Sequence, residues 1–216
     1  MSCNNPLLAV CLGINPDTGK KILRFEKQFD AKGAIDQKQE SFFRLQQRER
    51  LEEVYGKENV LDIPCGKCIG CRLKYSRDWA NRCLCELQYH KYNYFLTLTY
   101  NDDCIPYGCD PKTGEVTAPT LRYRDLQLFW KNLRNNGKDI RFFACSEYGP
   151  TTFRPHYHAI VFGLELDDLV HYKTQYLGDQ RVDYYTSEFI NSCWYDFDLN
   201  KSRGYVVIGD VTYRAT

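Results

Sequence analysis

Ten residues constrain this chain more than any other stretch: Arg154-Pro155-His156-Tyr157-His158-Ala159-Ile160-Val161-Phe162-Gly163. Two histidines alternate with apolar residues here, the period-two pattern of a β-strand, so both imidazoles project from one face. Residues 140–147 read as a second strand, tied to the first through Tyr148-Gly149-Pro150. If that turn is centred near Thr151, residues whose numbers sum to about 303 face each other, and Glu147 lies opposite His156.

Two imidazoles at i and i+2 converge on one divalent ion, and a carboxylate from the neighbouring strand completes a facial triad with open positions. Glu147, His156 and His158 are therefore the expected metal ligands. An isolated His-x-His is more often an ordinary pair of strand residues; the facing glutamate is what separates this case. A metallohydrolase built on three or four imidazoles would have to recruit His90 and His171, the only other histidines, from distant segments.

The surrounding pattern predicts the sheet that carries this hairpin. Tyr94-Phe95-Leu96-Thr97-Leu98-Thr99-Tyr100 is rich in β-branched and aromatic residues and reads as a strand, followed by a Cys-, Pro- and Gly-rich excursion over residues 101–119. Leu126, Phe129, Trp130 and Leu133 recur at helical spacing ahead of Asn135-Asn136-Gly137. A further helix is expected over residues 187–195 and a last strand over residues 204–209. The resulting βαββαβ order predicts an α+β fold, an antiparallel sheet with helices packed on it, of the split-βαβ or ferredoxin-like kind.

Ahead of that sheet lies a different composition. Residues 7–14 and 22–25 flank Asn15-Pro16-Asp17-Thr18-Gly19 as a hairpin, and residues 37–55 are polar and helix-prone. From residue 71 to 89, Leu73, Trp79, Ala80, Cys83, Leu84 and Leu87 mark an amphipathic helix with Arg72, Lys74, Arg77 and Arg82 around its polar side. The expected division is residues 1–90 as an N-terminal hairpin and Cys-rich basic helical module, and residues 91–216 as the sheet domain.

Eleven cysteines would suit a secreted disulfide framework, but the number is odd and three cluster as Cys65-Gly66-Lys67-Cys68-Ile69-Gly70-Cys71. Glycines between thiols allow the tight turns of a zinc knuckle, whereas a ferredoxin-type run would want a cysteine where Tyr75 stands. Cys65, Cys68 and Cys71 are candidate ligands of a structural Zn²⁺. A fourth is sought in Cys83, with Cys85, or Cys3 and Cys11, as alternatives, against buried unmetallated thiols.

Net charge is only +1, from 29 basic and 28 acidic residues, but it is unevenly spread. Residues 65–91 are predominantly basic and residues 165–200 predominantly acidic, which makes a local phosphate-binding face possible. Arg72, Lys74, Arg77, Arg82, Lys138 and Arg154, with Lys131 and Arg134, are the candidate phosphate contacts, interleaved with aromatics suited to stacking on unpaired bases. For any one of them a solvated face is the plainer reading. No apolar run approaches the length of a membrane span, and the short stretch at residues 6–14 lacks a leader's basic flank, so the expectation is a cytosolic protein.

His156-Tyr157-His158, Phe95-Leu96-Thr97-Leu98-Thr99, Glu147-Tyr148-Gly149 and Pro64-Cys65-Gly66-Lys67-Cys68-Ile69-Gly70-Cys71 together resemble the replication initiators of microviruses, particularly the gokushovirus branch, within the HUH endonucleases. The likeness runs from about residue 64 to 212. It implies rolling-circle replication in the cytoplasm of a bacterial host: Mg²⁺ or Mn²⁺ on Glu147, His156 and His158, and attack of a tyrosine hydroxyl on origin DNA to leave a 5′-phosphotyrosyl protein. Single-stranded phage DNA and the host replication machinery are the implied partners, and no membrane is.

The family's nucleophile follows the last strand in a Tyr-x-x-x-Tyr pattern with a lysine shortly after. Only Tyr213 stands near that place here, with no second tyrosine or lysine behind it. The expectation is that the sheet domain is incomplete at its C-terminus and that the nucleophile lies beyond residue 216. Tyr205 and Tyr184-Tyr185 read as packing or surface aromatics. The competing function is a non-cutting origin-binding protein that retains the metal site.

Overall fold

The computed structural model describes residues 3–26, 37–178 and 180–212. In chain order the elements are β1 (Leu7–Ile14), β2 (Lys21–Phe25), α1 (Gln37–Tyr55), β3 (Val60–Ile63), α2 (Ile69–Leu87), β4 (Asn93–Tyr100), β5 (Tyr107–Cys109), β6 (Val116–Pro119), α3 (Tyr123–Asn135), β7 (Arg141–Tyr148), β8 (Pro155–Phe162), β9 (Val170–Leu177), β10 (Gln180–Thr186), α4 (Glu188–Cys193), β11 (Tyr195–Asp196), β12 (Lys201–Ser202) and β13 (Gly204–Gly209). The chain divides into two compact units between Asp78 and Trp79, within α2.

The second unit is a six-stranded antiparallel sheet in the order β7-β8-β4-β13-β10-β9. Its kernel is the expected split βαβ arrangement, for β8 is inserted between the two strands of the β4-α3-β7 unit and β13 closes the other side of β4. The hairpin β9-β10 extends the sheet beyond β13. It was not foreshadowed by alternation, because Tyr172, Tyr176, Val170 and Arg181 lie exposed on it and no apolar face is set apart.

Period two divides the strands between two faces. Leu96, Leu98 and Tyr100 of β4, Tyr157, Ala159 and Val161 of β8, and Val206 and Ile208 of β13 are buried under Leu126, Phe129, Trp130 and Leu133 of α3 and Ile190, Cys193 and Trp194 of α4. Ser187 caps α4, its hydroxyl accepting the Ile190 N–H at 3.1 Å. β13 begins at Gly204, where an added Cβ would stand 2.1 Å from the Thr99 carbonyl oxygen; only glycine admits so close an approach. On the opposite face Cys83 of α2 packs with Ile160 and Phe162, with Phe95, Phe143 and Leu87 against them. Trp79 stacks on Phe143 at 5.0 Å. The α2 residues thus cover one end of this face, and Glu147, His156 and His158 lie toward the other.

The first unit is a three-stranded sheet, β2-β1-β3, with α1. The hairpin β1-β2 turns at Asn15, whose side-chain oxygen accepts the Asp17 and Thr18 N–H groups at 2.9 and 3.1 Å. Apolar burial is slight here: among the described residues of this unit the buried hydrophobic side chains are Leu8, Ala9, Val10 and Val60.

Candidate metal centre

The β7-β8 ladder pairs Glu147 with His156 and Cys145 with His158, so the register expected from the turn is the register found. One carboxylate oxygen, Glu147 Oε1, lies 2.9 Å from His156 Nε2 and 3.1 Å from His158 Nε2. The imidazoles are partly buried and the carboxylate more than half exposed, so the group opens to solvent through its acid.

Each imidazole is fixed by its other nitrogen. His156 Nδ1 donates to the Arg154 carbonyl oxygen at 3.0 Å, which in the neutral ring turns the Nε2 lone pair toward Glu147. His158 Nδ1 meets the Thr97 hydroxyl at 3.1 Å, a contact that the β4-β8 register supplies by setting Thr97 opposite His158. The ring of His158 also stacks on Phe95 at 5.3 Å. Backbone carbonyl and hydroxyl partners of this kind orient metal-binding histidines.

The charges suit ligation. The contact with His156, reinforced by His158, holds the Glu147 carboxyl below the usual carboxylate range against the effect of burial. Burial pushes the His158 imidazole below its ordinary value even though Glu147 opposes this. Near neutral pH the group therefore offers one carboxylate and a neutral His158 ring. Ligands about 2.1 Å from an octahedral ion sit about 3.0 Å apart at neighbouring corners, and the two oxygen-to-nitrogen separations match that spacing. The donor set thus fits a small octahedral divalent cation.

A second group forms in the other unit. The sulfurs of Cys3, Cys65, Cys68 and Cys71 all lie within 4.8 Å of one another, with Cys3 3.5 Å from Cys65 and 3.8 Å from Cys68. Gly66, at φ 74°, makes the turn between thiols. Backbone N–H groups point at sulfur: Asn4 to Cys68 at 3.4 Å, Cys65 to Cys3 at 3.3 Å, and Cys68 to Cys65 at 3.4 Å. The Asn4 amide, followed by that of Cys71, draws the Cys68 thiol down to about 6. The expected fourth member, Cys83, is not in this group. It is 3% exposed beside Ile160 and Phe162, its thiol pushed up by burial, because helical spacing turns it toward the sheet with Leu87. Cys3, one of the alternatives left open by the sequence, takes the place.

The basic residues divide. Arg72, Lys74, Arg77 and Arg82 are exposed on α2, Lys74 paired with Asp78 at 2.6 Å and Arg82 lying over Trp79 at 4.9 Å. Lys138 is committed to the Glu165 carbonyl at 2.9 Å and the Phe189 ring. Arg154 clamps the Tyr100 carbonyl at 2.7 Å and Asp102 at 2.7 Å, bracing β8 just ahead of the histidines. Tyr205 is 70% exposed on β13 and pairs with Thr99, which pairs with His156, so it shares the face of the metal group. Tyr213 lies outside the described residues. Thr97 was missed as a site residue; its signal was the register of β4 against β8, which the sequence alone does not reveal. Among the described residues no helix is long and apolar enough to cross a membrane.

Comparison with known proteins agrees with the geometry. Residues 93–207 match the family model of the replication-associated protein ORF2. The chain is 33% identical over 155 residues to the replication-associated protein ORF2 of Spiroplasma virus 4, covering 71% of this chain and 45% of that protein. It is 35% identical over 160 residues to the replication-associated protein VP4 of Bdellovibrio phage phiMH2K, covering 69% and 44%. Against the replication-associated protein ORF4 of Chlamydia phage 1 it is 30% identical over 162 residues, covering 72% and 36%. The chain thus spans less than half the length of each of these curated relatives. No solved structure matches it. Matched over the strands that carry Glu147, His156 and His158, the chain belongs to the ORF2 family of phage replication-associated proteins, with an HUH-like sheet.

Proposed function

We propose that this chain is the nicking domain of a rolling-circle initiator, which cuts and rejoins single-stranded phage DNA at the replication origin. The observation that carries the reading is the convergence of Glu147 with both histidines of the His-x-His strand in a protein of this family. Glu147, His156 and His158 would hold Mg²⁺ or Mn²⁺, whose chemistry when bound is to polarise the non-bridging oxygens of the scissile phosphate. Imidazole donors favour Mn²⁺ in the test tube.

The protein's own residues supply position and charge. Thr97 and the Arg154 carbonyl fix the two rings, and Arg154 fixes the strand that carries them. In the proposed step a tyrosine hydroxyl attacks phosphorus in line, its proton passes to solvent or a base, and the leaving oxygen departs as a free 3′ hydroxyl. The 5′ phosphate remains on the tyrosine, and attack by a 3′ hydroxyl reverses the exchange, so one phosphodiester replaces another without an energy source. Tyr213 is the tyrosine of this sequence nearest the family's nucleophile position. Arg72, Lys74, Arg77 and Arg82 are the proposed phosphate contacts. The setting is the cytoplasm of the bacterial host, with its replication machinery as partner. In this reading the four thiols take no part in cutting and are a candidate Zn²⁺ site.

The test uses labelled single-stranded fragments tiling the phage genome, incubated with the protein and Mn²⁺. The expected product is a protein–DNA adduct stable to denaturation, formed at least about 100-fold more slowly by His156→Ala. Binding without any adduct in the wild-type protein would identify a non-cutting origin-binding protein instead.

A further inference from the structure

The first unit has too little core to account for its own order. Leu8, Ala9, Val10 and Val60 are its buried hydrophobic side chains among the described residues, while Phe42, Phe43, Leu45 and Val54 of α1 stand exposed. Small units with so few buried apolar residues ordinarily depend on a disulfide or a structural metal. All the cysteines are free thiols, and four of them meet at one point of this unit.

Strand register explains why the fourth is Cys3. β1 and β3 pair antiparallel from Val10 with Val60 to Leu7 with Ile63. Continued past Leu7 and Ile63, the same two segments bring Cys3 against Cys65, 62 residues away in the chain. Gly66 then turns the backbone, and Cys68 and Cys71 flank the start of α2 at Ile69. A tetrahedral ion with metal–sulfur bonds of about 2.3 Å sets its sulfurs about 3.8 Å apart. The observed separations of 3.5 and 3.8 Å suit one shared ion, and are far too long for a disulfide, whose sulfurs are about 2.05 Å apart.

We infer that Cys3, Cys65, Cys68 and Cys71 bind a single Zn²⁺ that staples the start of β1 to the β3-α2 junction, and that the first unit keeps its fold only while the staple is closed. The inference rests on the reading of the thiols as a zinc site, and it adds the ligand set and the dependence of folding on it. Metal binding of this kind is itself folding free energy, because the unfolded chain has no preformed site. Cys83 has no part in it.

The experiment uses the full chain in a His156→Ala/His158→Ala background, so that zinc held by the other group is not counted. Protein purified without added metal is measured by mass spectrometry, then digested with limiting protease before and after chelation. One zinc per chain is expected in the background protein and in Cys83→Ser, and a loss of most of it in Cys3→Ser. Chelation should speed cleavage within residues 1–78 at least about tenfold while the fragment from residue 79 onward resists. Should Cys3→Ser fail to fold, Co²⁺ in place of zinc in the background protein serves instead, with the charge-transfer and visible bands of a tetrahedral thiolate site expected. Absence of zinc would overturn both the zinc reading and the staple. Zinc retained by a folded Cys3→Ser, lost from Cys83→Ser, replaced by iron, or removable without any change in digestion would overturn the staple alone, as would cobalt bands of an octahedral site.

Discussion

The two faces of the six-stranded sheet are made by neighbouring residues of the same strands, yet they treat polar groups in opposite ways. On the helix-covered face the buried charges and phenol hydroxyls are closed on one another. Tyr100 donates to Asp125 at 2.8 Å and lies 3.2 Å from the Tyr157 hydroxyl, which donates to the Arg122 carbonyl at 2.9 Å. Arg203, 3% exposed, sits between Asp125 at 2.9 Å and Asp196 at 3.0 Å. On the other face Glu147 spreads one oxygen over two imidazoles and remains open to solvent. Buried polarity must be satisfied within the protein, whereas a site for a cation and a phosphate must keep capacity in reserve. The difference shows where rigidity is made and where it is used.

The comparison is broken most forcefully from the covered side. Asp125→Ala leaves Arg203 and the Tyr100 hydroxyl short of a buried partner and is expected to destabilise the sheet unit by about 3–5 kcal/mol, read from denaturant melts. A loss under about 1 kcal/mol would mean that the closed network does not brace the strands. Thr97→Val tests the open side. It should weaken Mn²⁺ binding by about 10- to 100-fold, seen by titration calorimetry, while the melting curve hardly moves. A variant with normal metal affinity and a lowered melting temperature would reverse the assignment of the two faces.

The smallest effect is in acid. Burial pushes the Asp196 carboxyl up, but the Leu199 N–H, the Arg203 charge and the Asp198 N–H together hold it below its ordinary value. A carboxyl depressed by folding adds stability that is fully present above its unfolded pKa of about 3.9 and is lost as pH falls through the folded value. Stability should therefore drop below about pH 4, and less steeply in Asp196→Asn. Equal slopes for the two proteins would remove Asp196 from the account.

Much of the sheet unit was legible because its signals are short-range and one-sided. The turn at residues 148–154 fixed the facing of Glu147 and His156, and α3 announced itself through Leu126, Phe129, Trp130 and Leu133, all buried on the sheet. The hairpin β9-β10 was not, because an edge exposed on both sides leaves no apolar alternation to read. Thr97 and Cys3 were obscured for another reason. Their partners lie 61 and 62 residues away, and only the pairing of strands decides which hydroxyl or thiol arrives.

Tyr157, between the two histidines, is usually counted in such a motif as any hydrophobic residue. Here its hydroxyl holds Arg122 at both backbone atoms, accepting the N–H at 3.0 Å as well as donating to the carbonyl. The middle letter of the motif is therefore a third informative position. A lineage that drifted to leucine or phenylalanine there would still satisfy any motif search, and would have surrendered the anchor that keeps the two imidazoles in step.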